Sequence, residues 1–286
     1  MKKFLFTLII LLTACQNQTQ NSNLENQQWS FDSSTGDYIE WQSDNDFANE
    51  MTNAGFIHLY NFEYDKATVF FEKALEYDPS LFGPHVVLAG FSIDGSDKQK
   101  MHIEKAKENV MDKNETSKLF VSLLDVPTAA FWPLGNKNGH EIWKSMREIE
   151  PKGKLIHYYF AFTKPTNEEA IEEMNTLLKE LVDNEGDKES LAVSGDHSYM
   201  EAPIYNTLGY LNYYIGEKTK SKEYFEKYIE TYPNGHNPYD SMGEFYFNEG
   251  DMKNAKSFYL KAIEMYPSVS NAKEMVRKIN DMENMQ

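Results

Sequence analysis

Cysteine occurs once in the 286 residues, at Cys15, so no disulfide can staple one part of the chain to another. Basic residues are also short: 28 Lys and Arg stand against 45 Asp and Glu, a formal charge of −17. Such an acidic surface excludes nucleic acid as a partner and excludes charge-driven attachment to anionic lipid. The seven histidines (His58, His85, His102, His140, His157, His197 and His236) never fall three or four apart, so the chain has no helical metal pair. Phosphate-cradling glycine loops, a dinucleotide fingerprint and a nucleophile elbow are all missing. The adjacent Asp196-His197-Ser198 cannot supply the geometry of a triad. No catalytic residue, metal or cofactor is therefore expected. Pairs such as Glu168-Glu169 and Glu172-Glu173 read as one solvated helix face.

What is present is repetition. Across residues 202–269 one 34-residue pattern occurs twice without a gap. Tyr205, Leu208, Gly209, Gly216, Phe225, Tyr232 and Pro233 match Tyr239, Met242, Gly243, Gly250, Tyr259, Tyr266 and Pro267. The first residues of each copy have helical spacing and give one inward stripe. Glycine in mid-helix costs about 1 kcal/mol, which makes sense at Gly209 and Gly243 if a second helix presses close. Gly216 and Gly250 fall where the helix must turn, and Pro233 and Pro267 forbid continuation of the second helix. A third copy stands at 48–81, with Met51, Ala54, Gly55 and His58, then Ala67, Phe71, Ala74 and Pro79.

This pattern resembles the tetratricopeptide repeat, a helix–turn–helix unit that stacks on its neighbours. The resemblance implies an all-α, right-handed superhelical solenoid of about six such hairpins, closed by a capping helix at 270–286. Ser221 and Tyr228 depart from the small residues usual in the second helix. It also implies a concave face built from first helices, which takes a peptide or a partner helix. Carried onto this chain, that face comprises Asn49, Thr52 and Phe56 in the first copy, Asn206, Tyr210 and Tyr213 in the fifth, and Asn237, Asp240, Glu244 and Phe247 in the sixth. Aromatic side chains beside Asn and Asp suit polypeptide recognition, although groove aromatics also pack within a solenoid.

The start of the chain has a different character. Lys2 and Lys3 precede an apolar run from Phe4 to Leu12, too short for a membrane span, and then Thr13-Ala14-Cys15. Leu12-Thr13-Ala14-Cys15 resembles the bacterial lipoprotein box, which implies a signal peptide at 1–14 and acylation (diacylglyceryl plus palmitate-type chains) of Cys15. The plainer reading is an ordinary signal peptide with an unpaired thiol. Removing residues 1–14 takes away Lys2 and Lys3 and no acid, moving the charge from −17 to −19. Acyl chains must then supply the hold on the membrane. Gln16, rather than Asp, follows the cysteine, which favours the outer membrane. Residues 15–28 are almost wholly polar and read as a tether, and 29–47, with Trp29, Phe31, Tyr38 and Trp41, as an irregular cap on the first repeat.

Between 82 and 183 the repeat signal decays while helical periodicity persists. Three degenerate hairpins at about 82–112, 113–152 and 153–183 fit it, as does a helical insert that is not a repeat. Residues 184–199 lack a helix period and are long for a link between packed helices. The segment 128–138, with Phe131-Trp132-Pro133, is a second irregular stretch.

The expected function is a non-catalytic, membrane-anchored scaffold that binds a protein partner at a bacterial envelope. The alternative is an accessory or glycan-binding lipoprotein of an outer-membrane polysaccharide-uptake system, with Trp132 and the 184–199 loop as its sugar-facing candidates and an aromatic content of 14% in its favour.

Overall fold

The computed structural model describes residues 39–127, 133–183, 192–193, 197–198 and 201–285. Residues 1–38, 128–132 and most of 184–200 lie outside it, and with them the signal peptide, Cys15, the tether, Trp29, Phe31, Tyr38 and Trp132. The described residues form thirteen α-helices: α1 (Asp46–Tyr60), α2 (Tyr64–Tyr77), α3 (Phe82–Phe91), α4 (Asp97–Asn109), α5 (Glu115–Ser122), α6 (His140–Ile149), α7 (Lys154–Phe162), α8 (Asn167–Asp183), α9 (Glu201–Tyr214), α10 (Lys218–Thr231), α11 (Asn237–Asn248), α12 (Met252–Met265) and α13 (Ser270–Asn284). Each packs on the helix before or after it, as a solenoid requires. Within the 184–199 stretch, Ala192–Val193 pairs antiparallel with His197–Ser198.

Helix ends follow from proline. α2, α6, α10 and α12 all stop two residues before a proline, at Tyr77, Ile149, Thr231 and Met265. The intervening residues Asp78, Glu150, Tyr232 and Tyr266 leave the helical region with ψ of 98°, 69°, 59° and 96°. Proline Cδ crowds the preceding residue out of the α region, so the sequence sets the stop. Starts are capped where an Asn, Ser or Asp is present: Asn45, Ser96, Asn114 and Asp251 each accept a backbone N–H from the first turn.

Helix pairing within the three repeats follows the mid-helix glycines. A Cβ on Gly55 would lie 2.7 Å from the Phe71 ring, one on Gly209 2.6 Å from Phe225, and one on Gly243 2.9 Å from Tyr259. Phe71, Phe225 and Tyr259 occupy matching positions and are fully buried, each stabilising its hairpin by about 1.5–3 kcal/mol. The main core runs from Ile39 and Trp41 through Phe120 and Trp143 to Leu208. A separate cluster joins α12 to α13, where Ala272 and Ile279 are buried while Lys273, Glu274, Arg277 and Lys278 stay exposed.

One local reading is corrected by packing. Glu173 does not share the solvated face of its neighbours, since its carboxylate lies 2.8 Å from Nε2 of buried His157, which also has Glu180 at 3.3 Å. The curvature of the stack brings distant repeats into contact: Tyr228 of α10 donates its hydroxyl to the Asn61 carbonyl, across 167 positions of sequence. The stack therefore curls until its fifth hairpin touches its first.

Candidate functional site

Where the first and last repeats meet, one residue gathers the contacts. Glu63, at the start of α2, has a fully buried side chain. Its Oε2 lies 2.6 Å from His58 Nδ1, 3.1 Å from Lys66 Nζ and 3.2 Å from the Tyr232 hydroxyl, which donates to it. Its Oε1 accepts the His236 backbone N–H at 3.2 Å and lies 3.0 Å from His236 Nδ1. Burial alone would raise the Glu63 pKa. Hydrogen bonds from His236 and His58, with the charges of His58 and Lys66, outweigh it and hold the carboxyl well below its ordinary value. Glu63 is thus a clasp between α1–α2 and the α10–α11 corner.

The turn that presents the clasp is repeated. Glu63, Glu217 and Asp251 each donate their N–H to a carbonyl five residues back, His58, Asn212 and Tyr246, which closes α1, α9 and α11 in the same Schellman arrangement. The residue before each is left-handed: Gly216 at φ 87°, Gly250 at φ 80° and Phe62 at φ 59°. An aromatic residue there is strained by about 1–2 kcal/mol, which glycine avoids. The strain places the Phe62 ring on the wall of a cavity.

This cavity, of about 610 Å³, lies between the α1–α2 corner and the first helices α9 and α11. Asn206, Thr207, Tyr210 and Tyr214 line it from α9, and Asn237, Asp240, Ser241 and Glu244 from α11. Phe62, Tyr64 and Asp65 close it from the first repeat, Lys137, Phe162 and Asn167 from the middle, and Asn271 from α13. The 34-residue register makes Asn206 the counterpart of Asp240, and Tyr210 that of Glu244. The second pair touches directly, with the Tyr210 hydroxyl donating to Glu244 Oε2 at 2.7 Å. Burial, then the Glu244 charge, drives the Tyr210 phenol well above its ordinary pKa. Burial also pushes the Asp240 carboxyl up to about 6, opposed by the hydrogen bond from Asn271 and the charge of His236. Its Oδ2 accepts from Asn271 at 2.7 Å, while its Oδ1 is buried with no partner.

Of the ten groove positions read from sequence, Asn206, Tyr210, Asn237, Asp240 and Glu244 line this cavity. The other five are elsewhere. Phe56 is stacked under Trp41, ring centroids 4.2 Å apart, and is 1% exposed. Thr52 is buried and donates to the Ala48 carbonyl, and Asn49 binds both backbone groups of Ser43. The segment that carries Trp41 and Ser43 thus covers the first copy's share of the face. Tyr213 turns to Glu249, and Phe247 packs with the α12–α13 cluster under Lys278. Phe62, Tyr64, Asp65 and Tyr214 were not among the expected positions. The signal for Phe62 was available: it stands where the other two copies have glycine. Among the described residues, no group of three or more His, Cys, Asp or Glu is placed to hold a metal. No described helix is long and apolar enough to cross a membrane.

Comparison with known proteins places these hairpins. The tetratricopeptide repeat family model matches residues 51–81, 202–234 and 237–269, about a third of the chain. No curated protein matches. Among solved structures, the chain is similar to one from the APC/C hetero-tetramer Cut9–Hcn1, at 14% identity and a TM-score of 0.47, covering 91% of this chain and 47% of that one. It therefore spans about half the length of that relative. A tetratricopeptide repeat protein from Parabacteroides merdae shares 15% identity at a TM-score of 0.46, with 84% and 86% of the two chains covered. PilF of Pseudomonas aeruginosa shares 15% at a TM-score of 0.37, with 81% and 97% covered. With its matched glycines, aromatic plugs and proline stops, this chain carries tetratricopeptide repeats at three places, in a solenoid of stacked helices.

Proposed function

We propose that this protein is a non-catalytic adaptor that holds a segment of a polypeptide partner in the cavity between its first and last repeats, while acyl chains on Cys15 moor it to a bacterial envelope, at the outer membrane. The observation that carries the reading is the cavity itself, which gathers five of the expected groove residues and is lined by five Phe and Tyr residues, Phe62, Tyr64, Phe162, Tyr210 and Tyr214. Rings of this kind supply most of the energy at polypeptide interfaces, and amides beside them can pair with a backbone. Lipidation rests on the Leu12–Cys15 box and the polar tether that follows.

Photo-crosslinking in cells tests the adaptor. A crosslinking amino acid in place of Tyr214, on the cavity wall, is expected to trap one polypeptide, and the same group in place of exposed Leu260 is expected to trap none. Equal, diffuse labelling at both positions would remove the reading. Metabolic palmitate labelling is expected to vanish in Cys15→Ser. A second reading, an accessory role in polysaccharide uptake with a glycan in the same cavity, draws on the same aromatic rings and on Asn206, Asn237 and Asn271. A glycan array with wild type and Tyr214→Ala separates the two.

A further inference from the structure

The cavity offers acceptors that its own donors leave unused. Asn206 is 2% exposed, lines the cavity, and has its Oδ1 buried without a hydrogen-bond partner. Asp240, one repeat further on at the matching position, leaves its Oδ1 in the same condition. A buried acceptor without a donor has lost its water and gained nothing in return, so two on one rung of adjacent helices point to a ligand that donates. Charge narrows the chemistry. Asp65, Asp240 and Glu244 all line the cavity, and among the described residues Lys137 is the one lysine or arginine that does so. Lys137 Nζ is already committed to the Pro165 carbonyl at 3.1 Å, and the Asn237 amide to the Tyr228 hydroxyl at 3.2 Å.

We infer that the cavity receives a lysine or arginine side chain of the partner polypeptide, with its cationic head against Asn206 and Asp240. The inference rests on the adaptor reading and names the chemistry of what is bound. An ammonium brings three donors and a guanidinium five, enough for both free oxygens and the Asp240 charge. The aliphatic stem suits the aromatic wall, and Tyr210 and Tyr214, stacked 6.3 Å apart, offer ring faces to a cation. An apolar side chain would leave both oxygens unpaired, and an acidic one would meet three carboxylates. A sugar hydroxyl could donate but would not offset the charge.

The test uses the full chain and pools of nine-residue peptides, randomised except at the centre, which is Lys, Arg, Nε-acetyl-lysine, Leu or Glu. The Lys and Arg pools are expected to bind at least tenfold more tightly than the other three, with affinity falling as salt rises. That preference is expected to shrink below threefold in Asp240→Asn and in Asn206→Leu, with circular dichroism confirming that each variant is folded. Peptide binding without a basic preference would overturn this inference while leaving the adaptor standing. A basic preference unchanged in folded Asp240→Asn would place the cation elsewhere and overturn it as well. Glycan binding with no binding by any peptide pool would overturn both readings.

Discussion

The first repeat and the last two share one backbone and use it differently. At the turn between paired helices, Gly216-Glu217 and Gly250-Asp251 make an unstrained corner, with Glu217 exposed and Asp251 capping α12. The same corner in the first repeat is Phe62-Glu63: an aromatic ring held in a left-handed conformation on the cavity wall, beside a carboxylate buried among His58, Lys66, Tyr232 and His236. A solenoid unit needs only the first version. The second is a contact between units far apart in sequence, and it turns a groove into a cavity.

Replacing the clasp is expected to break the comparison most severely. Glu63→Gln strips the charge from a buried network and should cost about 3 kcal/mol in chemical denaturation, whereas Glu217→Gln should cost under about 0.5 kcal/mol. The pH dependence follows from the same carboxyl. Its folded pKa is depressed, so its stabilisation is complete above the ordinary value of 4.5 and is lost as pH falls through the lower folded value. Glu63→Gln should flatten that acid limb.

Gly55→Ala, Gly209→Ala and Gly243→Ala probe what the repeats have in common. Each drives a methyl into the ring of Phe71, Phe225 or Tyr259 and should cost about 2 kcal/mol, similar in all three, by thermal melting. Asp240→Asn should act in the opposite direction. Its folded pKa is raised from 3.8 to about 6, so the folded state holds the proton more tightly and stability falls as pH rises across that window. The variant should be more stable at pH 7, seen as a higher Tm, and should lose that part of the pH profile.

Exchanging the corner residues is a smaller and sharper test. Gly216→Ala should destabilise by about 1 kcal/mol, and Phe62→Gly should stabilise by about 0.5–1 kcal/mol while weakening any ligand of the cavity, read by melting and by peptide binding. The smallest effect is expected at the exposed link between the fifth and sixth repeats. Lys218 pairs with Glu249 at 2.8 Å on the surface, where solvent and salt screen the charges, and Lys218→Ala should leave the melting temperature all but unchanged at any ionic strength.

Much of this molecule was legible in one dimension because its rules are local. A proline two residues past a helix, a glycine facing a ring and an apolar stripe each act within about 34 residues, and they return the hairpins with their ends. Among the groove residues of the fifth and sixth copies, Asn206 with Asp240 and Tyr210 with Glu244 were legible for the same reason, since adjacent first helices repeat the same rung, whereas Tyr213 and Phe247 turn away from the cavity. The groove residues of the first copy were not legible. Thr52 and Phe56 have the right register, but Thr52 is buried and Trp41 stacks on Phe56, and no periodicity announces where an irregular segment packs.

From sequence alone, then, came an all-helical chain of stacked hairpins, the positions of three repeats, and the residue types along their inner faces. Folding decided that the stack curls far enough for Glu63 to reach Tyr232 and His236, about 170 residues away, and that Phe62 and Tyr64 wall off a pocket. The division is physical. Helix and hairpin formation are set by contacts between near neighbours, whereas curvature accumulates small rotations over many interfaces and is settled only when distant surfaces meet.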